Sequence, residues 1–292
     1  MAGFPCWTMK RVVQILIALH SLPVLAIAQL QELGQARSVS SAAGLEMVWC
    51  APSTFQMGSP ESETNRQADE PRHAVTLTSG FWLGKYEVTQ AQWKTVMGTD
   101  IRQQRDRHVP NKSLRGEGAK HPMHYVSWEE AMEFCSKVTE MERRGGRLPD
   151  GYAYLLPTEA QWEYACRAGT NTATTFGDEL SSHLANFDGH YPYNGGKYDH
   201  DLHRMVKVGS YRANAWGIYD VHGNVEEWCL DWYGEYPASS ATDPIGPLTG
   251  EKRVVRGGSW LDPGLYMRSA SRSYAEPQSG THSVGFRLCL TK

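Results

Sequence analysis

The segment NAWGIYDVHGNVEEWCLDWYGEYP (Asn214–Pro237), with RVVRGGSW (Arg253–Trp260) and RSASRS…GFRLC (Arg268–Cys289) behind it, decides how this chain folds. Gly223, Gly257, Gly258 and Gly285 read as backbone positions where a side chain does not fit or φ is positive. Asp220, Glu227 and Asp231 sit among Trp228, Trp232 and Tyr233. Acids set in an aromatic cluster must be paired, hydrogen-bonded or metal-bound, because burying a lone charge costs too much. This stretch is therefore either a site or a stapled core.

Working outward, 292 residues with 28 Gly, 15 Pro and 10 Trp suit one domain of many loops held by aromatic packing. No repeat of fixed period and no second composition regime appears. A net charge of −3 gives no basic footprint for nucleic acid. Lys10-Arg11 followed by an apolar run ending in Ala26-Ile27-Ala28 reads as an export signal over residues 1–28. The run contains Gln14, His20 and Pro23 and is too short to span a bilayer, so no membrane association is expected beyond export. A secreted or periplasmic product follows, with a polar spacer over 29–43 and a folded domain over 44–292.

Short strands are expected at Met47–Cys50 and Thr54–Met57, in the AVTLT run (Ala74–Thr78) and from Phe81. Thr89-x-x-Gln92, Ser127-x-x-Glu130 and Thr158-x-x-Gln161 are capping boxes that predict helices over roughly 89–98, 127–143 and 158–167. Ala185–His203 is a long loop whose Phe187, Tyr191, Tyr193 and Tyr198 argue for order.

YDVHGNVEEW, RVVRGGSW and SVGFRLC, with LPTEAQWEYACRAG (Leu156–Gly169), FQMGS (Phe55–Ser59) and YEVTQAQW (Tyr86–Trp93) upstream, resemble the formylglycine-generating-enzyme (sulfatase-modifying factor) family. The resemblance implies an α+β, irregular C-type-lectin-like fold with little regular secondary structure and a few short capped helices. It implies structural calcium, whose hard oxygen ligands come from loops. One set would be Asn186, the Phe187 carbonyl and Asp201, with Asp199 as the alternative; the other would be Asp220, Glu227 and the carbonyls of Gly223 and Val225. It also pairs Cys135 with Cys289 as a disulfide. It sets Cys166 opposite Ser269, leaving Cys50, Cys166 and Cys229 without mates.

The family's copper-binding cysteine pair falls at Asp262 and Met267, or within Gly264–Tyr266 for the second in another register, and no Cys occurs between Leu230 and Leu288. A carboxylate and a thioether do no thiolate chemistry, so copper and formylglycine generation are not expected. Glu226 stands where the family carries a tryptophan, and the expected groove comprises Glu226, Trp260, Asp262 and Arg268. Arg256, Arg268, Arg272 and Arg287 suit anion recognition or, more simply, pairing with Glu129, Glu159 or Glu163. His121 and His124 flank Pro122 and make no helical metal pair, and Ser259, His282 and Asp262 are close only in sequence.

Two functions follow from the resemblance. One is a peptide-, protein- or glycan-binding accessory module. The other is an oxidoreductase of altered chemistry on an exported peptide or siderophore-like substrate, or one with residual formylglycine-generating activity.

Overall fold

The structure is a computed structural model and describes residues 38–292; the export signal expected at 1–28 lies outside the described residues. A five-stranded sheet organises the chain. It comprises β1 (Ser38–Ser40), β2 (Glu46–Cys50), β5 (Phe81–Gly84), β12 (Cys289–Thr291) and β6 (Ala153–Leu155), in that order. Period-two alternation gives the sheet two apolar faces. Met47, Trp82, Tyr154 and Leu290 face one way, against Phe134 and Val138 of helix α3 (Trp128–Arg144). Val48, Leu83 and Cys289 face the other, against Ala160, Trp162 and Cys166 of helix α4 (Glu159–Arg167). The last strand, β12, is thus an interior strand between β5 and β6.

All three predicted capping boxes form, at Thr89 for helix α1 (Gln90–Met97), Ser127 for α3 and Thr158 for α4. A fourth helix, α2 (Ile101–His108), was not expected. Its cap is Asp100 with Gln103, and IRQQRDRH carries almost no apolar face to announce it. The spacer boundary moves as well. Ser38–Ser40 pairs with Glu46–Val48, and the Ala42 amide donates to Glu142 Oε1 at 2.8 Å, so order begins before Gly44. Strands β3 (Ser53–Met57), β4 (His73–Leu77) and β8 (Ala241–Thr242) form a separate three-stranded sheet.

The decisive stretch builds the remaining sheet, β10 (Arg272–Ala275), β9 (Arg253–Arg256), β7 (Glu226–Trp232) and β11 (Val284–Gly285). This is the α+β, C-type-lectin-like fold, with short elements and long loops. No described helix is long and apolar enough to cross a membrane.

Candidate functional site

Glu226 and Glu227 are neighbours on β7, and strand alternation sends them to opposite faces. Glu227 goes inward and is fully buried. Its carboxylate accepts from Arg287 Nε at 2.5 Å, Arg287 Nη2 at 2.6 Å and Trp162 Nε1 at 2.7 Å. Arg256 pairs with Glu163, and Arg272 grips Glu159 through two bonds of 2.8 and 2.9 Å. These are the structural pairings the sequence suggested for Glu159 and Glu163. Glu129 pairs with no arginine among the described residues and accepts instead from Gln278.

Glu226 faces a cavity of about 310 Å³ lined also by Arg256, Asp262, Tyr266, Ser271, Arg272 and Ser273, with the Gly257-Gly258 backbone on its wall. Burial pushes the Glu226 carboxyl up to about 8, and the Asp262 charge adds to the rise while a bond with Ser273 opposes it. Asp262 is fixed by the Ser259 amide at 2.8 Å and the Ser259 hydroxyl at 2.6 Å. Two carboxylates thus share one small, open pocket.

Only part of the expected groove assembles. Glu226 and Asp262 line the pocket, but Arg268 is buried, bonded to Glu70 twice at 2.6 Å and to Glu63 at 2.8 Å. It locks the Ser59–Arg72 loop onto the closing segment rather than facing a ligand. Trp260 belongs to a small buried cluster with Met205 and Val225. Met267 is also buried. A Cβ at Gly258 would fall 2.1 Å from Met267 Cε, so the thioether packs against the glycine instead of reaching the pocket.

The five described cysteines are free and buried, and none lines this pocket. The Cys135–Cys289 bridge implied by the resemblance is absent from this structure. The other implied contact does occur, with Cys166 Sγ 3.6 Å from Ser269 Oγ.

The calcium sets fare unequally. Glu227 does not fit a calcium ligand here, because three donors already hold its carboxylate and Arg287 neutralises it. Asp220 accepts from the Gly209 amide at 2.6 Å and is pushed up to about 6, chiefly by burial. Beside it, Glu87, whose role the sequence did not signal, is driven well above its ordinary range by burial and by the Asp220 charge. The Gly223 backbone is used structurally. Its amide donates to Gly257 O at 2.8 Å, and a Cβ there would fall 2.2 Å from Asn186 O. Val225 is buried in the Trp260 cluster.

In the first set, Asn186 Nδ2 donates to Arg204 O at 3.0 Å and Asn224 Oδ1 at 3.1 Å, and Phe187 is a core side chain. Asp201 is drawn to Asp188 and His190, with one ligand atom of each within 4.8 Å of the others. The sequence reading missed Asp188 and His190; the D-x-H spacing in FDGHY was the available signal.

The domain profile described as sulfatase-modifying factor enzyme 1-like matches residues 34–292. The chain belongs to the sulfatase-modifying factor family. It is 27% identical over 292 residues to the formylglycine-generating enzyme of Mus musculus, covering 83% of this chain and 74% of that one. It is 30% identical over 224 residues to the chaperone protein LppX of Paenibacillus barcinonensis, covering 64% of this chain and 71% of the relative. Among solved structures, Treponema denticola variable protein 1 superposes with a TM-score of 0.71 at 25% identity, covering 87% of this chain and 99% of that one.

Proposed function

We propose that this family member is an exported binding or accessory domain whose groove holds a peptide, protein or glycan segment without thiolate chemistry. The observation that carries the reading is the replacement at the pocket. Where the family's copper-binding thiols would stand, Asp262 faces the cavity and Met267 is packed into the core against Gly258. Copper(I) needs soft ligands, and the pocket offers two carboxylates. Arg256 and Arg272 on its wall are already paired with Glu163 and Glu159, so Asp262 and the raised carboxyl of Glu226 are the groups left to meet a ligand, which favours an ammonium, a guanidinium or hydrogen-bond donors on it. The likeness to a relative named a chaperone supports a protein-directed role.

A second reading is supported by one feature. Glu226, held near 8 beside Asp262, can keep or release a proton at neutral pH, as a general acid or base must. That favours an oxidoreductase or other enzyme of altered chemistry over a passive groove.

The deciding experiment incubates the purified chain with copper(I), oxygen and a cysteine-containing sulfatase-motif peptide, followed by mass spectrometry. The expected result is no cysteine-to-aldehyde conversion, with lysine- or arginine-bearing peptides retained in a way that Asp262→Asn weakens. Aldehyde formation would overturn the proposal.

A further inference from the structure

We propose that Asp188, His190 and Asp201 form a binding site for a first-row divalent transition ion beside the groove. The proposal is independent of what the groove binds. Three donor atoms, one from each side chain, lie within 4.8 Å of one another. Metal–ligand bonds of about 2.0–2.2 Å hold donors roughly 3–4 Å apart, so small side-chain rotations close the set.

The two arms are brought together by a close crossing. Asp188 and His190 flank Gly189, and a Cβ on Gly189 would fall 2.6 Å from His200 O and 2.9 Å from Asp199 O. The Asp199 amide donates to Gly189 O at 3.1 Å across the same crossing. Only glycine lets the two segments approach this closely, and Asp201 follows directly.

The donors are also oriented. His190 Nδ1 lies 3.0 Å from Asp188 Oδ1. His203 supports Asp201 from outside, its amide donating to Oδ1 at 2.7 Å and its Nδ1 lying 2.6 Å from Oδ2. Outer partners of this kind fix a ligating carboxylate. The Asp201 side chain is 6% exposed, Asp188 19% and His190 38%, so the set runs from a buried floor to an open mouth. Among the described residues the only ion-pair partners of Asp188 and Asp201 are these histidines, and no lysine or arginine neutralises the two carboxylates.

A cation would do so. One imidazole nitrogen with two carboxylates suits zinc, manganese or iron(II) better than calcium, which takes six to eight oxygens. The site adjoins the groove, since the Asp188 amide donates to Asp262 O at 3.0 Å.

The test strips the full chain with chelator and titrates it calorimetrically with Zn²⁺, then with Ca²⁺. One saturable equivalent of Zn²⁺ is expected, weakened at least about tenfold in both His190→Ala and Asp201→Asn. Cobalt(II) should give a visible spectrum that His190→Ala alters. His190 is partly exposed, so its variant keeps the fold, and circular dichroism checks this. The proposal is overturned by the absence of a one-equivalent Zn²⁺ site, by unchanged affinity in His190→Ala, or by Ca²⁺ displacing Zn²⁺ at equal concentration.

Discussion

Replacing Glu226 with Gln should stabilise the protein, increasingly so as pH rises from about 5 to above 8. Burial and the Asp262 charge hold this carboxyl at about 8 against an ordinary 4.5. Because the folded-state value is raised, the acid is neutral in both states below about 4.5 and costs nothing there. The cost grows as pH climbs through that value and is complete above about 8. At full ionisation the difference corresponds to roughly 5 kcal/mol. Glu226 is half-buried and water screens part of the penalty, so about 2–3 kcal/mol is a better expectation. The assay is urea unfolding of wild type and Glu226→Gln at pH 5, 7 and 9. The gap between them should be small at pH 5 and reach about 2–3 kcal/mol at pH 9, a shift of about 5–10 °C in Tm. Asp262→Asn should reduce the gap by removing the repulsion. Parallel stability curves for wild type and Glu226→Gln would show that Glu226 is an ordinary solvated acid and that the pocket is not an acidic pair.

Arg287→Met leaves Glu227 buried without its cation and should cost about 3–5 kcal/mol in urea unfolding, with part recovered in the double variant carrying Glu227→Gln. Ser269→Cys places a thiol where Ser269 Oγ now lies 3.6 Å from Cys166 Sγ. Oxidation should then leave one fewer free thiol than wild type on denaturing titration and raise stability by about 2–4 kcal/mol. Thr158→Ala removes half of a capping box and should cost about 1 kcal/mol, measured as a lowered urea midpoint.

What could be read from the sequence was whatever the chain states locally. The hydroxyl–x–x–amide or acid boxes at Thr89, Ser127 and Thr158 gave three helices because each cap closes within four residues. Asp100-x-x-Gln103 is the same device, but without an apolar stripe it did not stand out. The arginines were legible as structural, and only half of their partners could be named. Arg268 reaches Glu70 across 198 residues of chain, a distance on which local pattern is silent. The acidic pocket was half visible, since Glu226 and Asp262 could be flagged as misfits while the neighbouring Ser273 could not. The groove expected alongside the family resemblance included Trp260 and Arg268, and both are buried. The Asp188, His190 and Asp201 set depends on a backbone crossing at Gly189, which exists only in three dimensions.

The site region is held by buried ion pairs. Glu227 with Arg287, Glu163 with Arg256, Glu159 with Arg272 and Glu70 with Arg268 are buried pairs that tie β7, α4, β9, β10 and the loops carrying Glu70, Arg268 and Arg287 together. None of them uses a sulfur atom. Breaking any one pair strands a buried charge, at about 3–5 kcal/mol. The Ser259 amide and hydroxyl hold the Asp262 carboxylate in a tight turn that depends on none of these pairs. The pocket rests on this frame, with Glu226 and Asp262 on its wall. Selection acting on such a pocket acts on what it holds, so variants at Glu226 and Asp262 should change ligand affinity and its pH dependence at small cost to folding at neutral pH. Variants at Glu227 and Arg287 should do the reverse. A chain in which Asp262→Asn unfolds the protein while Arg287→Met merely alters binding would invert that division and refute it.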